Sequence, residues 1–190
     1  MSYFAKYNDI RLREMRDDLQ DYTLMAKWLS DPMVLEYYEG RNNPFDVDKI
    51  IEKYAPRVQK KSYVIPCILE YQQQPIGYMQ YYPITDGYET QGAVDFSVYS
   101  APYGLDLFIG EVSFWNHGIG TQAIKTLLRY LFENKISDSV FIDPQTSNTR
   151  AIKSYEKCGF TPMCVIKKRE EHEGEYKDSL IMSVPSRMRL

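Results

Sequence analysis

Residues 115–121 read WNHGIGT and run directly into QAIKTLLRYLF, and this junction decides the fold. Apolar residues then recur at helical spacing, at Ile119, Ala123, Leu127 and Leu131, with Ile124 and Leu128 beside them. The first turn of a helix leaves backbone N–H groups unpaired and carries a partial positive charge. Two glycines at such a junction indicate either a plain strand-to-helix turn or a loop that binds phosphate groups.

The composition describes an ordinary globular protein. The chain has 190 residues, of which 44% are hydrophobic and 26% charged, and this predicts a single domain over residues 1–190. A formal net charge of −3 lacks the basic excess of a nucleic-acid binder, and a small cationic ligand suits it better. No signal-peptide core and no membrane-length apolar run is present, so we expect a cytoplasmic protein without nucleic-acid or membrane partners. We expect it to be a monomer or a weak homodimer.

The cysteines and histidines do not form a metal-binding pattern. Cys67, Cys158 and Cys164 are odd in number and widely spaced, and only His117 and His172 accompany them. We therefore expect no metal and three thiols in a reducing compartment.

The order of elements predicts a mixed sheet with helices on its faces. Strands are predicted in IRLREM, SYVIPCILEY, PIGYMQYYP, LDLFIGEV, SVFIDP, TPMCVIKK and YKDSLIMSVP, and helices in DDLQDYTLMAKWLSDP, FDVDKIIEKYAPRV, QAIKTLLRYLF and SNTRAIKSYEKCGF. The first helix is expected to end at Asp31-Pro32, because proline blocks its continuation. Residues 84–103 are ambiguous: VDFSVYS alternates like a strand, whereas its flanks have the composition of loops.

A second strand–helix unit makes the pattern specific. Residues 148–160 read NTRAIKSYEKCGF, and with WNHGIGT they resemble the acyl-CoA site of the GCN5-related N-acetyltransferases (GNAT). That family's loop reads Arg/Gln-x-x-Gly-x-Gly/Ala, and its next helix reads Asn-x-x-Ala-x-x-x-Tyr-x-x-x-Gly-Phe. The helix motif is matched by Asn148, Ala151, Tyr155, Gly159 and Phe160, whereas Trp115 stands where the loop usually has Arg or Gln. The resemblance implies an α/β (α+β) GNAT fold, with helices on both faces of a mixed central sheet, and acetyl-CoA as co-substrate.

Further stretches narrow the resemblance to the aminoglycoside 6′-N-acetyltransferases. They are VLEYYEGR (34–41), PIGYMQYY (75–82), YGLDLFIGE (103–111) and IDPQTSNTRAIKSYEKCGF (142–160). The implied activity is direct acetyl transfer to the 6′-amine of an aminoglycoside antibiotic, such as kanamycin, within a ternary complex, and the implied outcome is drug resistance. Two alternatives remain open: an acetyltransferase for a siderophore intermediate, a polyamine or a protein amine, and a CoA-binding sensor without turnover.

An amine that attacks a thioester must lose a proton, so a base is needed near the reacting centre. Asp106 is the candidate, because YGLDLFIG is otherwise apolar and the carboxylate lies near the start of the strand that leads to the loop. Asp143 either holds an ammonium group of the acceptor or stabilises a helix N-terminus. The resemblance makes Tyr155 the acid for the leaving thiolate, and Asn148 either contacts the cofactor or caps its helix. Cys158 is expected to be a buried structural thiol.

The remaining candidates divide between cofactor and acceptor. The backbone N–H groups of the loop are expected to bind the cofactor phosphates, at His117, Gly118, Ile119, Gly120 and Thr121. A backbone N–H near Phe108 or Ile109 is expected to stabilise the oxyanion. Tyr38, Gln80 of GYMQYY and Asp86 are acceptor candidates. The resemblance implies an aromatic contact with the sugar at Tyr38, and carboxylates and aromatic faces suit a polycation. The acidic run EEHEGEYKD (170–178) either extends this negative surface or forms a solvated hairpin turn.

Overall fold

Residues 2–85, 90 and 92–186 of the computed structural model are described, and within them the chain forms eight strands in one sheet. The strands are β1 Ala5–Tyr7, β2 Ile10–Glu14, β3 Ile65–Tyr71, β4 Gln74–Pro83, β5 Pro102–Ile109, β6 Ser139–Ile142, β7 Thr161–His172 and β8 Glu175–Pro185. Their order across the sheet is β1-β2-β3-β4-β5-β6-β8-β7. All neighbours are antiparallel except β5 and β6, so the sheet is mixed, as predicted.

The parallel pair opens a cleft in the middle of the sheet. β5 and β6 pair only from Pro102 opposite Ser139 to Gly104 opposite Phe141. Beyond Gly104, β5 continues to Ile109 paired with β4. The two strands therefore diverge, and the last residues of β5 face the cleft.

The same described ranges contain five α-helices: α1 Leu19–Trp28, α2 Pro32–Leu35, α3 Val47–Val58, α4 Ile119–Glu133 and α5 Thr149–Glu156. Four of them begin at a side chain that accepts a backbone N–H, which stabilises a helix start: Asp18, Asp31, Asp46 and Asn148. At α4, Gly118 occupies the same position and provides no such bond.

The helices cover both faces of the sheet, which confirms that prediction. On one face, α4 and α5 pack on the sheet, and the predicted stripe of α4 from Ile119 to Leu131 is buried there. On the other face, α1, α2 and α3 pack against Ile68, Tyr78 and Phe108. Since side chains alternate along a strand, neighbouring residues of β4 and β5 serve different cores.

Several predicted boundaries were wrong. The pattern missed β1, which pairs with β2 as a short hairpin. α1 ends at Trp28, before Asp31-Pro32, because Asp31 instead caps α2 and Pro32 occupies its first turn. Phe96–Val98 forms a 3-10 turn capped by Asp95, so the alternating pattern of VDFSVYS does not make a strand.

β5 begins at Pro102, three residues earlier than predicted, because Pro102–Gly104 pairs with β6. Asp106 therefore lies in the middle of its strand and not near its start. β7 extends to His172, so the acidic run is mostly strand, and its turn lies at Glu173 and Gly174.

Candidate active site

A cavity of about 810 Å³ fills the cleft between β5 and β6. Twelve of the predicted site residues line it: Tyr38, Gln80, Asp106, Phe108, Ile109, Gly118, Ile119, Gly120, Thr121, Asp143, Asn148 and Tyr155. His117 is exposed and is not part of the lining, which leaves only its backbone to serve the loop. Asp86 lies outside the described residues. The cleft thus brings most of the predicted site together from five separate stretches of sequence.

The N-terminus of α4 offers unpaired backbone donors to this cavity. Gly118 has a φ of 74°, a left-handed conformation that favours glycine, and apart from its chain neighbours no heavy atom of the described residues lies within 4 Å of where its Cβ would be. The first helical N–H donation inside α4 comes from Gln122 to the carbonyl of Gly118. The N–H groups of Ile119, Gly120 and Thr121 lie before that bond, in the first turn, where a helix binds phosphate groups.

Trp115, the departure from the family loop, is part of a basic surface beside these donors. Its indole Nε1 donates to the carbonyl of Ile109 at 2.8 Å, and the Arg150 guanidinium lies 4.1 Å from its ring centroid. Lys153 of α5 and Lys157, which follows α5, also line the cavity. The sequence carried a signal for this surface, because three basic residues at spacings of three and four share one face of a helix. Arg150 of α5 therefore supplies a positive charge beside Trp115, the position at which the family loop usually has Arg or Gln.

Asn148 caps α5, which is one of the two roles that the sequence allowed for it; the other is a contact with the cofactor. Its Oδ1 accepts from the Ala151 N–H at 3.2 Å and caps α5, while the residue also lines the cavity. Both interpretations of this residue are compatible with its position.

Asp106 lies deep in the cleft and opens onto the cavity. Its Oδ2 accepts from the Gln80 side-chain amide at 2.6 Å, across the β4–β5 pair that also sets these two residues opposite each other. Burial and the charge of Asp143 together raise the pKa of Asp106 to about 7, against the hydrogen bonds from Gln80 and Tyr82, which lower it. A carboxyl that titrates near neutral pH can accept and release a proton there.

Asp143 follows β6 and is held by an ion pair with Arg169 of β7. Tyr155 of α5 faces both carboxylates, and its burial and their charges raise the pKa of its phenol. The phenol therefore stays protonated at neutral pH. Because Arg169 pairs with it, the Asp143 carboxylate is less accessible to a ligand than its sequence position suggested. The sequence pattern gave no sign of this arginine.

The acidic side of the cavity is the set of four lining carboxyl groups, Glu39, Asp106, Asp143 and Glu170, and the lining cations Lys53 and Arg169 pair with two of them. The Tyr38 ring packs edge-on against Phe108, with centroids 4.6 Å apart. Glu39 lines the cavity in an ion pair with Lys53 of α3. Glu170 of β7 also lines it, with a pKa raised by burial and by the charge of Asp143. The acidic run thus contributes one cavity carboxyl and is not merely a solvated turn.

Cys158 is a buried thiol, as predicted. It is 1% exposed, its Sγ donates to the Thr121 carbonyl at 3.5 Å, and burial raises its pKa to about 12. A thiol in this state is a poor nucleophile. The geometry therefore favours acyl transfer that does not pass through Cys158.

The divergent parallel strands, the uncapped helix start and the half-buried Asp106 carboxyl are the features expected of an acyltransferase that uses a CoA thioester. Residues 17–168 match the acetyltransferase (GNAT) domain family, and the chain belongs to it. The fold, the acetyltransferase class and acetyl-CoA as co-substrate are confirmed by this family and by similar solved structures that contain CoA or acetyl-CoA. No helix in the described ranges has the length and apolar character needed to cross a bilayer.

The chain is similar to enzymes that act on aminoglycosides. Aminoglycoside N(6′)-acetyltransferases type 1 of Klebsiella pneumoniae and Serratia marcescens are each 30% identical over 166 residues, which cover 84% of this chain and 78% of theirs. The crystal structure of aminoglycoside acetyltransferase AAC(6′)-Ib with coenzyme A and kanamycin has a TM-score of 0.75 and 26% identity, covering 93% of this chain and 94% of that one. Spermidine N-acetyltransferase from Vibrio cholerae, with CoA and spermine, shares the fold at a TM-score of 0.73 and 16% identity, covering 94% of this chain and 96% of that one.

Proposed function

We propose that this protein transfers the acetyl group of acetyl-CoA directly to the 6′-amine of an aminoglycoside antibiotic. The observation that carries the proposal is that one cavity is lined both by basic residues of the α5 segment beside the α4 N-terminus, its basic side (Arg150, Lys153 and Lys157), and by the four carboxyl groups of its acidic side, Asp106 among them. The basic side suits the phosphates of CoA, and the acidic side suits a polycation. The identity to aminoglycoside N(6′)-acetyltransferases supports this choice of acceptor.

Bound acetyl-CoA supplies an acetyl thioester. The α4 N-terminus binds its phosphates through Ile119, Gly120 and Thr121, and Arg150 adds a nearby positive charge. A backbone N–H near Phe108 or Ile109, at the end of β5, stabilises the developing oxyanion.

The side chains divide the proton transfers between them. Asp106 accepts the proton that the attacking amine loses, and its pKa near neutrality makes the exchange reversible. Tyr155, which stays protonated, donates to the leaving thiolate. Asp143 holds a second ammonium of the acceptor, and to do so it exchanges the Arg169 guanidinium for that ammonium. No acyl-enzyme is needed, since Cys158 is buried and outside the cavity lining.

Acetylation would convert one ammonium into a neutral amide. Anionic RNA binds polycations through such charges, so each one removed weakens the drug's binding. We therefore propose antibiotic resistance as the biological outcome. We also place the protein in the cytoplasm, as a monomer or weak homodimer, where its three thiols stay free. Tyr38 and Asp86 remain proposed acceptor contacts.

The test measures thiol release from acetyl-CoA with a matched pair of aminoglycosides, one with an amine and one with a hydroxyl at the 6′ position. We expect turnover with the amine only, and Asp106→Asn as the control should remove most of it. Spermidine is the third acceptor, because the acidic side would also accept a polyamine. Turnover with spermidine alone, or no turnover with any acceptor despite acetyl-CoA binding, would overturn the proposed acceptor.

A further inference from the structure

Gln80 is the hub of a hydrogen-bond network that reaches Asp106. The side chain is 8% exposed. Its Oε1 accepts from Arg57 Nη1 at 2.7 Å and from the Tyr78 hydroxyl at 2.8 Å, while its Nε2 donates to Asp106 Oδ2 at 2.6 Å. Both lone-pair directions of the amide oxygen are therefore used by protein donors.

The direction of this amide depends on Arg57. A glutamine amide presents an acceptor at one end and donors at the other, and two such orientations fill nearly the same volume. A tyrosine hydroxyl can donate or accept, so Tyr78 tolerates either orientation. A guanidinium only donates, so Arg57 requires the oxygen of Gln80 on its own side. The amide nitrogen is then left facing Asp106, where a reversed amide would present a second oxygen to the carboxylate.

Arg57 is itself held in place at the C-terminal end of α3. Its guanidinium lies 4.9 Å from the ring centroid of Tyr54, a contact that fixes a planar cation over an aromatic face. Tyr54 in turn is fully buried and packs against the Tyr78 ring, with centroids 5.4 Å apart. The cation is thus part of a packed aromatic cluster and not a mobile surface charge.

The second donor to Asp106 has no comparable freedom to reverse. Tyr82 bonds the carboxyl, and its ring crosses β5 at Gly104, where a Cβ would lie 2.3 Å from the ring. Tyr82 and Gly104 are also paired in the sheet. Because its ring is fixed, Tyr82 keeps its hydroxyl at the Asp106 carboxyl. Of the two donors to this carboxyl, Gln80 is therefore the one whose orientation can change.

We propose that Arg57 is a positioning residue for Asp106: its guanidinium fixes the Gln80 amide so that the amide donates to the carboxylate, and its charge favours the ionised form of that carboxylate. The inference rests on the proposed function in one respect, the role of Asp106 as the base. Sequence reasoning missed Arg57, because an arginine on a short amphipathic helix is typical of a solvated face.

The direction of the effect follows from the groups that face Asp106. From the packed elements these are Gln80 and Tyr82 of β4, Asp143 after β6, Arg57 and Tyr54 of α3, Tyr155 of α5, and Tyr38 after α2. Among them the cation is Arg57, and Asp143 opposes it. Loss of Arg57 removes an attractive charge and permits the amide to reverse, and both changes raise the pKa of Asp106.

The test titrates the Asp106 carboxyl by carbon-13 NMR in the whole protein, with Asp106→Asn to assign the signal. In Arg57→Met we expect the midpoint to rise by about one pH unit, and in Arg57→Lys, which keeps the charge, by less. Arg129→Met is the matched control, because Arg129 stacks on Tyr7 outside the cavity lining and its loss changes the net charge equally. An Asp106 midpoint that is the same in Arg57→Met and wild type would overturn the inference.

The pH dependence of kcat/KM is a second measurement, and a variant that merely loses part of its structure would not change it in the way expected here. The acid limb of kcat/KM should move to higher pH in Arg57→Met, so that the loss is about fivefold at pH 7 and smaller at pH 9. A loss that is equal at every pH would mean a merely structural role. If no acceptor is turned over, the proposed function fails, and the NMR titration still decides the role of Arg57.

Discussion

At the scale of single residues, the same burial that prepares Asp106 for proton transfer also costs stability. Its carboxyl has a pKa near 7 in the folded protein, well above that of an exposed aspartate. The unfolded chain therefore releases this proton at a lower pH than the folded protein does. Between those two values the unfolded state gains relative stability as the pH rises. Strain of this kind is common where a protein binds or reacts.

Asp106→Asn should for this reason melt at a higher temperature than wild type at pH 8. The difference should shrink as the pH falls towards 4, where both states of wild type become protonated. Thermal unfolding followed by circular dichroism across this range measures it. Asp178→Asn is the control of opposite sign: hydrogen bonds from Lys167 and from the Lys168 N–H lower the pKa of Asp178, so that variant should lose stability at pH 8. Equal melting shifts of Asp106→Asn at all pH values would contradict the account.

At the scale of elements, α4 contributes through the way it begins. Gly118 adopts a left-handed conformation that costs other residues about 1–2 kcal/mol, and it leaves the first turn without a side-chain cap. The other four helices of the described chain do have such caps. A helix start of this kind is available to an anion.

Gly118→Ala should weaken acetyl-CoA binding about tenfold, because the strain of the left-handed alanine shifts the loop away from its binding geometry. Gly92→Ala is a matched control: Gly92 has a φ of 72°, its Cβ position has no non-neighbouring heavy atom of the described residues within 4 Å, and it is not among the residues found to line the cavity. It should lower the melting temperature similarly but leave acetyl-CoA binding unchanged. Calorimetric titration with acetyl-CoA distinguishes the two variants. Equal losses of affinity would contradict the proposal that the loop at Gly118 binds the cofactor phosphates.

The strand β7 contributes the cation that neutralises Asp143. If an acceptor ammonium exchanges with Arg169, Arg169→Gln should lower KM for a polycationic acceptor several-fold at low salt, and added salt should reduce the difference. Lys177→Gln removes an equal charge from an exposed pair on the same hairpin and should leave KM unchanged. An unchanged or higher KM in Arg169→Gln would show that Asp143 does not take the ammonium.

Local patterns predicted these elements better than they predicted the contacts between them. The stripe of α4, the loop glycines and the motif of α5 are local patterns, and Gly118 and Tyr155, which they singled out, both line the cavity. The start of β5 was missed because it depends on pairing with β6, a partner more than thirty residues away. Arg57 and Arg169 were missed for the same reason, since the partners that define their roles are distant in the chain.

At the scale of the whole molecule, two cores meet at one cleft. The core beneath α4 and α5 supports the basic side, and the core beneath α1, α2 and α3 supports Tyr38 and the face of β5 that carries Phe108. Asp106 lies on that same face, two residues before Phe108, where the alternation of the strand points both side chains the same way. The proposed transfer therefore requires both cores to be intact. The first supports the residues proposed to bind CoA, and the second supports residues proposed to bind the acceptor.

The most direct test of this account is kcat/KM against pH, for wild type and for Asp106→Asn, with acetyl-CoA and a 6′-amino aminoglycoside. We expect the wild-type value to fall as the pH drops through about 7, because protonation removes the base. Asp106→Asn should lose on the order of 10²–10⁴-fold and should lack that limb, while binding acetyl-CoA as wild type does. A variant that retains the wild-type rate and the same acid limb would contradict the claim that Asp106 is the base of an aminoglycoside acetyltransferase.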